Sequence, residues 1–159
     1  MESGHRVIVF ARERFQDVLA EFVPLARREW EVATEDPRLF PFDPNWEAYC
    51  MMEDRDAVRL YTAREDGAMV GHLGYTVHSS LHSRRTRTAT SDVMWLEPKA
   101  RRPGVANRML AFAEEQLRAD GVHVVHTLTN DTFPALARLL TFRKHRPIAQ
   151  IFSTVLQHA

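Results

Sequence analysis

Leu96-Glu97-Pro98-Lys99-Ala100-Arg101-Arg102-Pro103-Gly104-Val105-Ala106-Asn107 is the stretch at which the periodicity of this chain changes. Before it, apolar and β-branched residues run in strand-like blocks. After it, Ala106, Met109, Leu110, Ala113 and Leu117 recur at helical spacing. A strand therefore ends, a cationic turn follows, and an amphipathic helix begins at a proline and a glycine. The first amides of a helix have no intrahelical acceptor, and the helix dipole adds positive potential at the same place. Gly104 has no Cβ to hold a phosphate off the backbone, and Arg101 and Arg102 bring mobile charge. Proline at a first helical position also serves simply to start a helix. Its setting, after a strand and before an amphipathic helix, favours an anion cradle for a diphosphate-bearing ligand.

Working outward, Arg6–Phe10 is a short β-branched run and reads as a first strand. From Arg14 the residues Phe15, Val18, Leu19, Phe22, Ala26 and Trp30 mark a helix, which Pro24 is expected to kink or split. Residues 34–45 hold Pro37, Pro41 and Pro44 and read as a loop, and Asn45 is placed to cap a second helix through Trp46, Tyr49 and Met52. Ala57–Ala63 and Met69–His78 read as strands joined by the turn Glu65-Asp66-Gly67. A polar loop from Ser79 to Arg87 then leads to a fourth strand, Thr88–Leu96. The helix after Pro103 stops at Asp120-Gly121. Val122–Thr129 follows as a strand, Phe133–Leu140 as a short helix and Ile148–Leu156 as a final strand. The order predicts one α/β domain over 1–159, a mixed and mostly antiparallel sheet with helices on both faces.

Composition narrows the function classes. Lys and Arg total 21, as do Asp and Glu, so net charge gives no case for nucleic acid or an anionic membrane as partner. Cys50 is the sole cysteine, which excludes an intramolecular disulfide and a cysteine-based zinc site. Set among Tyr49, Met51 and Met52, it reads as a core filler. No histidine pair has metal-ligand spacing, so no metal is expected. No apolar run is long enough to span a bilayer, and Met1–Arg6 lacks the regions of a signal peptide. A cytoplasmic location is the expectation.

On these residues the chain resembles the GNAT (GCN5-related N-acetyltransferase) superfamily. The family signature, Gln/Arg-x-x-Gly-x-Gly/Ala after a "Val-x-Pro" strand end, matches Arg101-x-x-Gly104-x-Ala106 after Leu96-Glu97-Pro98. Asn130 and Phe142 match a second element, with Thr141 where the family has glycine. Asp92, the run Ala111–Glu115 and Gly121-Val122 are most similar to phage and prophage acetyltransferases. The resemblance is strongest over the second half of the chain. It implies that the sheet splays between strands four and five and that coenzyme A lies in the gap. Met94 and Leu96 would pair with the pantetheine, Arg101, Arg102, Pro103, Gly104, Val105, Ala106 and Asn107 would surround the pyrophosphate, and Asn130 would hydrogen-bond the pantetheine arm. Acetyl-CoA is thus the implied cosubstrate, and an amide near Leu96 could polarise the thioester carbonyl. Pro103 has no N–H where the family's usual residue has one, and Arg101 and Arg102 are expected to compensate.

For the chemistry, an amine must lose a proton and the thiolate must gain one. The tyrosine that many family members use for the second step corresponds to Ala137. Asp92 is the expected base, on the premise that Asp92, Met94 and Leu96 alternate onto one strand face. The competing reading is a carboxylate paired with Arg84, Arg85 or Arg87 across the hairpin. His82 is the second catalytic candidate, on the acceptor side. His72, His78 and His126 read as structural. Trp30, Trp46 and Tyr49 border the region that in the family walls the acceptor pocket, although Trp30 reads more simply as helix packed on sheet. Arg84-Arg85-x-Arg87 reads as a solvated hairpin tip before it reads as a contact for an acidic partner. The implied function is acetyl transfer to a primary amine of a small molecule or protein. A coenzyme-binding protein without catalysis and a phage-type modifier of protein or nucleic acid are the alternatives. A homodimer is a further expectation, since such domains often pair through sheet edges.

Overall fold

The computed structural model describes residues 7–156, Asp92 by its backbone alone. Met1–Arg6, including the first residue of the expected first strand, lies outside the described residues. The elements are β1 (Ile8–Glu13), α1 (Phe15–Ala33), α2 (Trp46–Asp54), β2 (Val58–Glu65), β3 (Ala68–Ser80), β4 (Ser83–Leu96), α3 (Val105–Ala119), β5 (Val124–His126) and α4 (Pro134–Phe142). The five strands lie side by side in chain order. β1 to β4 pair antiparallel and β5 joins β4 in parallel.

Alternation along β2 divides the core into two layers. Tyr61 and Ala63 face α3 and pack with Leu73, Met109, Leu110 and Leu117. Val58 and Leu60 face α1 and pack with Phe15, Val18, Phe22 and Leu25. Helices cover both faces of a mixed, mostly antiparallel sheet, as expected. Several local expectations are corrected. Pro24 does not split α1, which runs unbroken through it. The core contacts of Phe22, Leu25 and Ala26 on either side of Pro24 offset the single backbone bond it removes. The polar stretch Ser79–Arg87 is no loop: β3 and β4 extend through it to a tight turn at Leu81-His82. Asn45 does cap α2, accepting the Ala48 amide at 2.9 Å.

The sheet opens between β4 and β5. They pair only at Thr88↔Val124, Ala89↔Val125 and Thr90↔His126. Beyond that the Leu128 amide donates to the Ser91 side-chain oxygen at 2.8 Å, a side chain taking the place of the next backbone rung. Immediately afterwards the β3–β4 register shifts. Leu73 faces Met94 while Tyr75 faces Ser91, so Asp92 and Val93 together oppose Gly74. This is a β-bulge, which turns the strand and strengthens its twist. The final strand expected at Ile148–Leu156 is not formed: that segment carries no ladder and its residues are exposed. Likewise β5 is three residues long, against the eight expected over Val122–Thr129.

Candidate active site

After Leu96 the chain makes a single 3-10 turn, Pro98–Ala100, and enters α3 through Gly104. Gly104 caps the helix in the left-handed conformation at φ 80°, with no side-chain cap. The Val105 amide donates to Arg102 and the Arg108 amide to Gly104. Those of Gly104, Ala106 and Asn107 have no acceptor among the described residues. Three amides at an open helix N-terminus, with Pro103 and Gly104 exposed, form a cradle for an anion. A Cβ on Gly104 would stand 3.2 Å from the Arg108 guanidinium, which therefore lies beside the cradle.

The cations around this turn differ from the expected set. Arg101 donates from Nε to the Leu96 carbonyl at 2.8 Å and lies over the Trp95 ring at 4.6 Å. Arg102 is 2.7 Å from the carboxylate of Glu65, which is buried. Both are thus engaged with the fold, whereas exposed Arg108 has no side-chain partner among the described residues. Sequence reasoning missed Arg108. Its signal was its position one helical turn after Gly104, which sets it on the glycine's face. Arg143 bonds Asn107 Oδ1 at 2.7 Å and also pairs with Glu114, bracing α3 against the end of α4.

β4 leads to this cradle along the open gap. Leu96 is buried in the α3-side core, Met94 packs beside it, and Trp95 points to the other layer. Gly71 permits the close approach of β3 here: a Cβ would be 2.7 Å from the Trp95 carbonyl. Across the gap, exposed Asn130 accepts the Thr132 amide on Oδ1 at 3.0 Å, which holds its side chain at the start of the α4 turn with the amide nitrogen still available. Met94 and Leu96 thus lie on β4 beyond its last rung to β5, the α3 turn follows them in the chain, and Asn130 lies four residues beyond the end of β5; these residues fit a long ligand ending in a diphosphate.

On the opposite layer a cavity of about 300 Å³ opens between α1, the 34–45 loop, α2 and the bulge. From the sheet it is lined by Val58, Arg59, Gly74, Tyr75 and Val93, the last of these in the bulge beside the Asp92 backbone. Its walls are aromatic: Phe22, Trp30, Phe42, Trp46 and Tyr49. Phe22 meets Trp46 edge-on at 5.8 Å, and Trp46 lies 5.6 Å from Tyr49. Trp30 does not pack on the sheet as expected; it borders the cavity, and its indole N–H pins the loop through the Phe40 carbonyl at 2.8 Å. Glu29 also lines the cavity and is only 7% exposed. The sequence reading passed over Glu29. It sits three and four residues after Ala26 and Leu25, where the buried stripe of α1 calls for an apolar residue.

Asp92 occupies the bulge, so simple alternation no longer assigns it to the face of Met94 and Leu96. Arg87, one of its expected partners, holds Asp56 at 2.7 Å and the Asp120 carbonyl at 2.7 Å. Arg84 and Arg85 are exposed near the hairpin tip. His82 is also at that tip, and the strand from Ser83 to Met94 spans roughly 35 Å. The fold does not bring His82 to the other candidates. Ala137 lies in α4 with no side-chain polar group, and its carbonyl accepts the Thr141 hydroxyl at 3.0 Å. Among the described residues no three His, Cys, Asp or Glu side chains gather as a metal site, and no helix is long and apolar enough to cross a membrane.

A sequence model of the acetyltransferase (GNAT) family matches residues 19–140, which span both the cavity and the α3 turn. No curated protein matches the chain significantly. Solved structures do. A ribosomal-protein-alanine N-acetyltransferase from Brucella melitensis biovar Abortus superposes with a TM-score of 0.70 at 18% identity, covering 96% of this chain and 99% of its own. An aminoglycoside acetyltransferase from an uncultured soil sample, in complex with sisomicin, has a TM-score of 0.68 at 13% identity, with 96% and 95% covered. A predicted acetyltransferase from Clostridium acetobutylicum, solved with acetyl-CoA, has a TM-score of 0.70 at 11% identity, with 94% and 97% covered. At these identities the likeness is one of fold.

Proposed function

The chain belongs to the acetyltransferase (GNAT) family, and from that premise we propose that it transfers an acetyl group from acetyl-coenzyme A to a primary amine. One observation carries this reading: the open start of α3, where the amides of Gly104, Ala106 and Asn107 lack a protein acceptor. Those amides bind the coenzyme's diphosphate, with Arg108 adding charge. The unpaired edge of β4 at Met94 and Leu96 hydrogen-bonds the pantetheine, and Asn130 holds it from across the gap. The coenzyme supplies an activated acetyl thioester, whose carbonyl carbon gains the amine nitrogen as its bond to sulfur breaks. The chain's part is to orient the two reactants and to accept the amine's proton. Asp92, in the bulge between cavity and gap, is the group assigned to that proton. A second reading, a coenzyme binder without transfer, draws support from Ala137, since α4 offers no acid there.

The test is direct. Acetyl-CoA should raise the melting temperature, and thiol release should then depend on an added amine. Absence of a thermal shift defeats the coenzyme assignment, and a shift without amine-dependent release favours the second reading.

The same proposal includes a homodimer. β5 is a sheet edge with Val124 exposed on it and Leu128 exposed two residues beyond, and Ile148, Ile151, Phe152, Val155 and Leu156 stand exposed on a segment with no ladder. An open edge and an apolar, strand-like segment on one chain are complementary between two copies related by a two-fold axis.

A further inference from the structure

Resting on the acetyl-transfer reading, we propose that Arg101 is a positioning residue. Its Nε–H closes the free edge of β4 at the Leu96 carbonyl, which fixes where an extended ligand stops pairing with that strand and so where the thioester lies. The direction of the edge follows from the β3–β4 ladder. The Glu97 amide donates to the Val70 carbonyl at 2.8 Å, and Gly71↔Leu96, His72↔Trp95 and Leu73↔Met94 continue that register. Bonded and non-bonded pairs alternate along an antiparallel ladder. Glu97 and Trp95 therefore turn their backbone groups toward β3, while Leu96 and Met94 turn theirs to the opposite side. β5 lies on that side, but its last rung to β4 is Thr90↔His126. The N–H and C=O of Met94 and Leu96 thus form an open edge.

The Leu96 carbonyl on that edge is already engaged. Arg101 donates to it from Nε at 2.8 Å, with its guanidinium over the Trp95 ring at 4.6 Å. Trp95 is a fixed platform, only 5% exposed. Its indole N–H reaches Glu97 Oε1 at 3.3 Å, and Arg28 of α1 donates to the same oxygen from Nε at 2.8 Å. A strand edge alone sets no register, since every second residue offers the same two groups. Pantetheine, with two amides, would pair equally well two residues along, about 7 Å away. With the Leu96 oxygen occupied, it is held to Met94 and the Leu96 N–H and leaves the strand there toward the α3 amides. A slip would carry the thioester away from the bulge, and misplacement by even about 1 Å costs of order 100-fold in rate. Arg101 thus acts through one N–H on a backbone carbonyl, and the diphosphate falls to the α3 amides and Arg108.

Two substitutions separate that N–H from the charge. Glutamine sets an uncharged amide nitrogen as many bonds from Cα as Nε is, and methionine sets a methyl there. In the thiol-release assay Arg101→Met should lower kcat about tenfold or more, and Arg101→Gln should restore it to within about threefold of the parent. Calorimetry should give both variants a coenzyme A Kd within about threefold of the parent, because the diphosphate anchor is untouched. Equal loss of affinity in both, by about tenfold, assigns the charge of Arg101 to the coenzyme and overturns the proposal, as does equal loss of kcat. The crystal structure of the parent with coenzyme A reads the same claim without turnover, and decides it if Arg101→Met does not fold. Arg101 Nε about 3 Å from the Leu96 oxygen, with both pantetheine N–H groups elsewhere, supports the proposal. Arg101 moved onto the diphosphate, or a pantetheine N–H in its place on that oxygen, overturns it and leaves acetyl transfer standing. The clamp intact in that complex, but no amine-dependent thiol release, supports the positioning and defeats the transfer reading.

Discussion

His72 is fully buried on β3, 4.8 Å from the Phe22 ring, and neither ring nitrogen has a hydrogen-bond partner among the described residues. Burial favours the neutral imidazole and lowers its pKa from 6.5 to about 3. Between those values the unfolded chain binds a proton that the folded chain does not, so stability rises with pH across this window and is lost as pH falls through it. His72→Leu removes the group, and acid unfolding monitored by circular dichroism should shift to lower pH. At neutral pH the variant should be as stable as the parent or more so, by about 1–2 kcal/mol, because two unsatisfied nitrogens are replaced by apolar surface. Gly104 presents the opposite case. At φ 80° a β-branched residue is strained by about 1–2 kcal/mol, and its side chain would fill the cradle toward Arg108. Gly104→Val should lower stability by that amount and weaken coenzyme A binding by about tenfold or more in calorimetry.

At the scale of elements, α3 carries both the cradle and much of the α3-side core. Met109, Leu110, Ala113 and Leu117 are all completely buried along one stripe. Leu110→Ala should therefore cost about 2–5 kcal/mol in chemical denaturation. The cations at its start separate by role. Arg102→Ala leaves the Glu65 carboxylate, 7% exposed, without its partner and should cost stability of about 1–3 kcal/mol with little change in coenzyme affinity. Arg108→Ala should leave stability unchanged and reduce affinity about three- to tenfold. The sequence made the glycine turn and the amphipathic stripe readable because both depend on local backbone chemistry. Arg101 and Arg102 were read as mobile charge, since their partners, Leu96, Trp95 and Glu65, are tertiary and invisible to spacing. Glu29 was hidden for the same reason in reverse: a lone acid on a helical stripe looks solvated until a cavity forms around it. The bulge at Asp92-Val93, opposite Gly74, also left no periodic trace.

Over the whole molecule, the proposed coenzyme site and the aromatic cavity belong to different layers of the sheet. The α3 layer and the β4–β5 gap form the proposed coenzyme side, and the α1–α2 layer borders the aromatic cavity. The order of elements was legible through α4 because hydrophobic period and turn residues agree along that length. It failed at Ile148–Leu156, where a strand-like sequence has no strand beside it within the chain. A second copy would supply that partner, so light scattering should give twice the chain mass, and Ile151→Asp with Phe152→Asp should give monomers that still bind coenzyme A. The central claim is narrower than this, and a crystal structure of the coenzyme A complex tests it most directly. The account predicts diphosphate oxygens about 3 Å from the amide nitrogens of Gly104, Ala106 and Asn107. A coenzyme bound with its diphosphate elsewhere, those three amides facing only solvent, would contradict it.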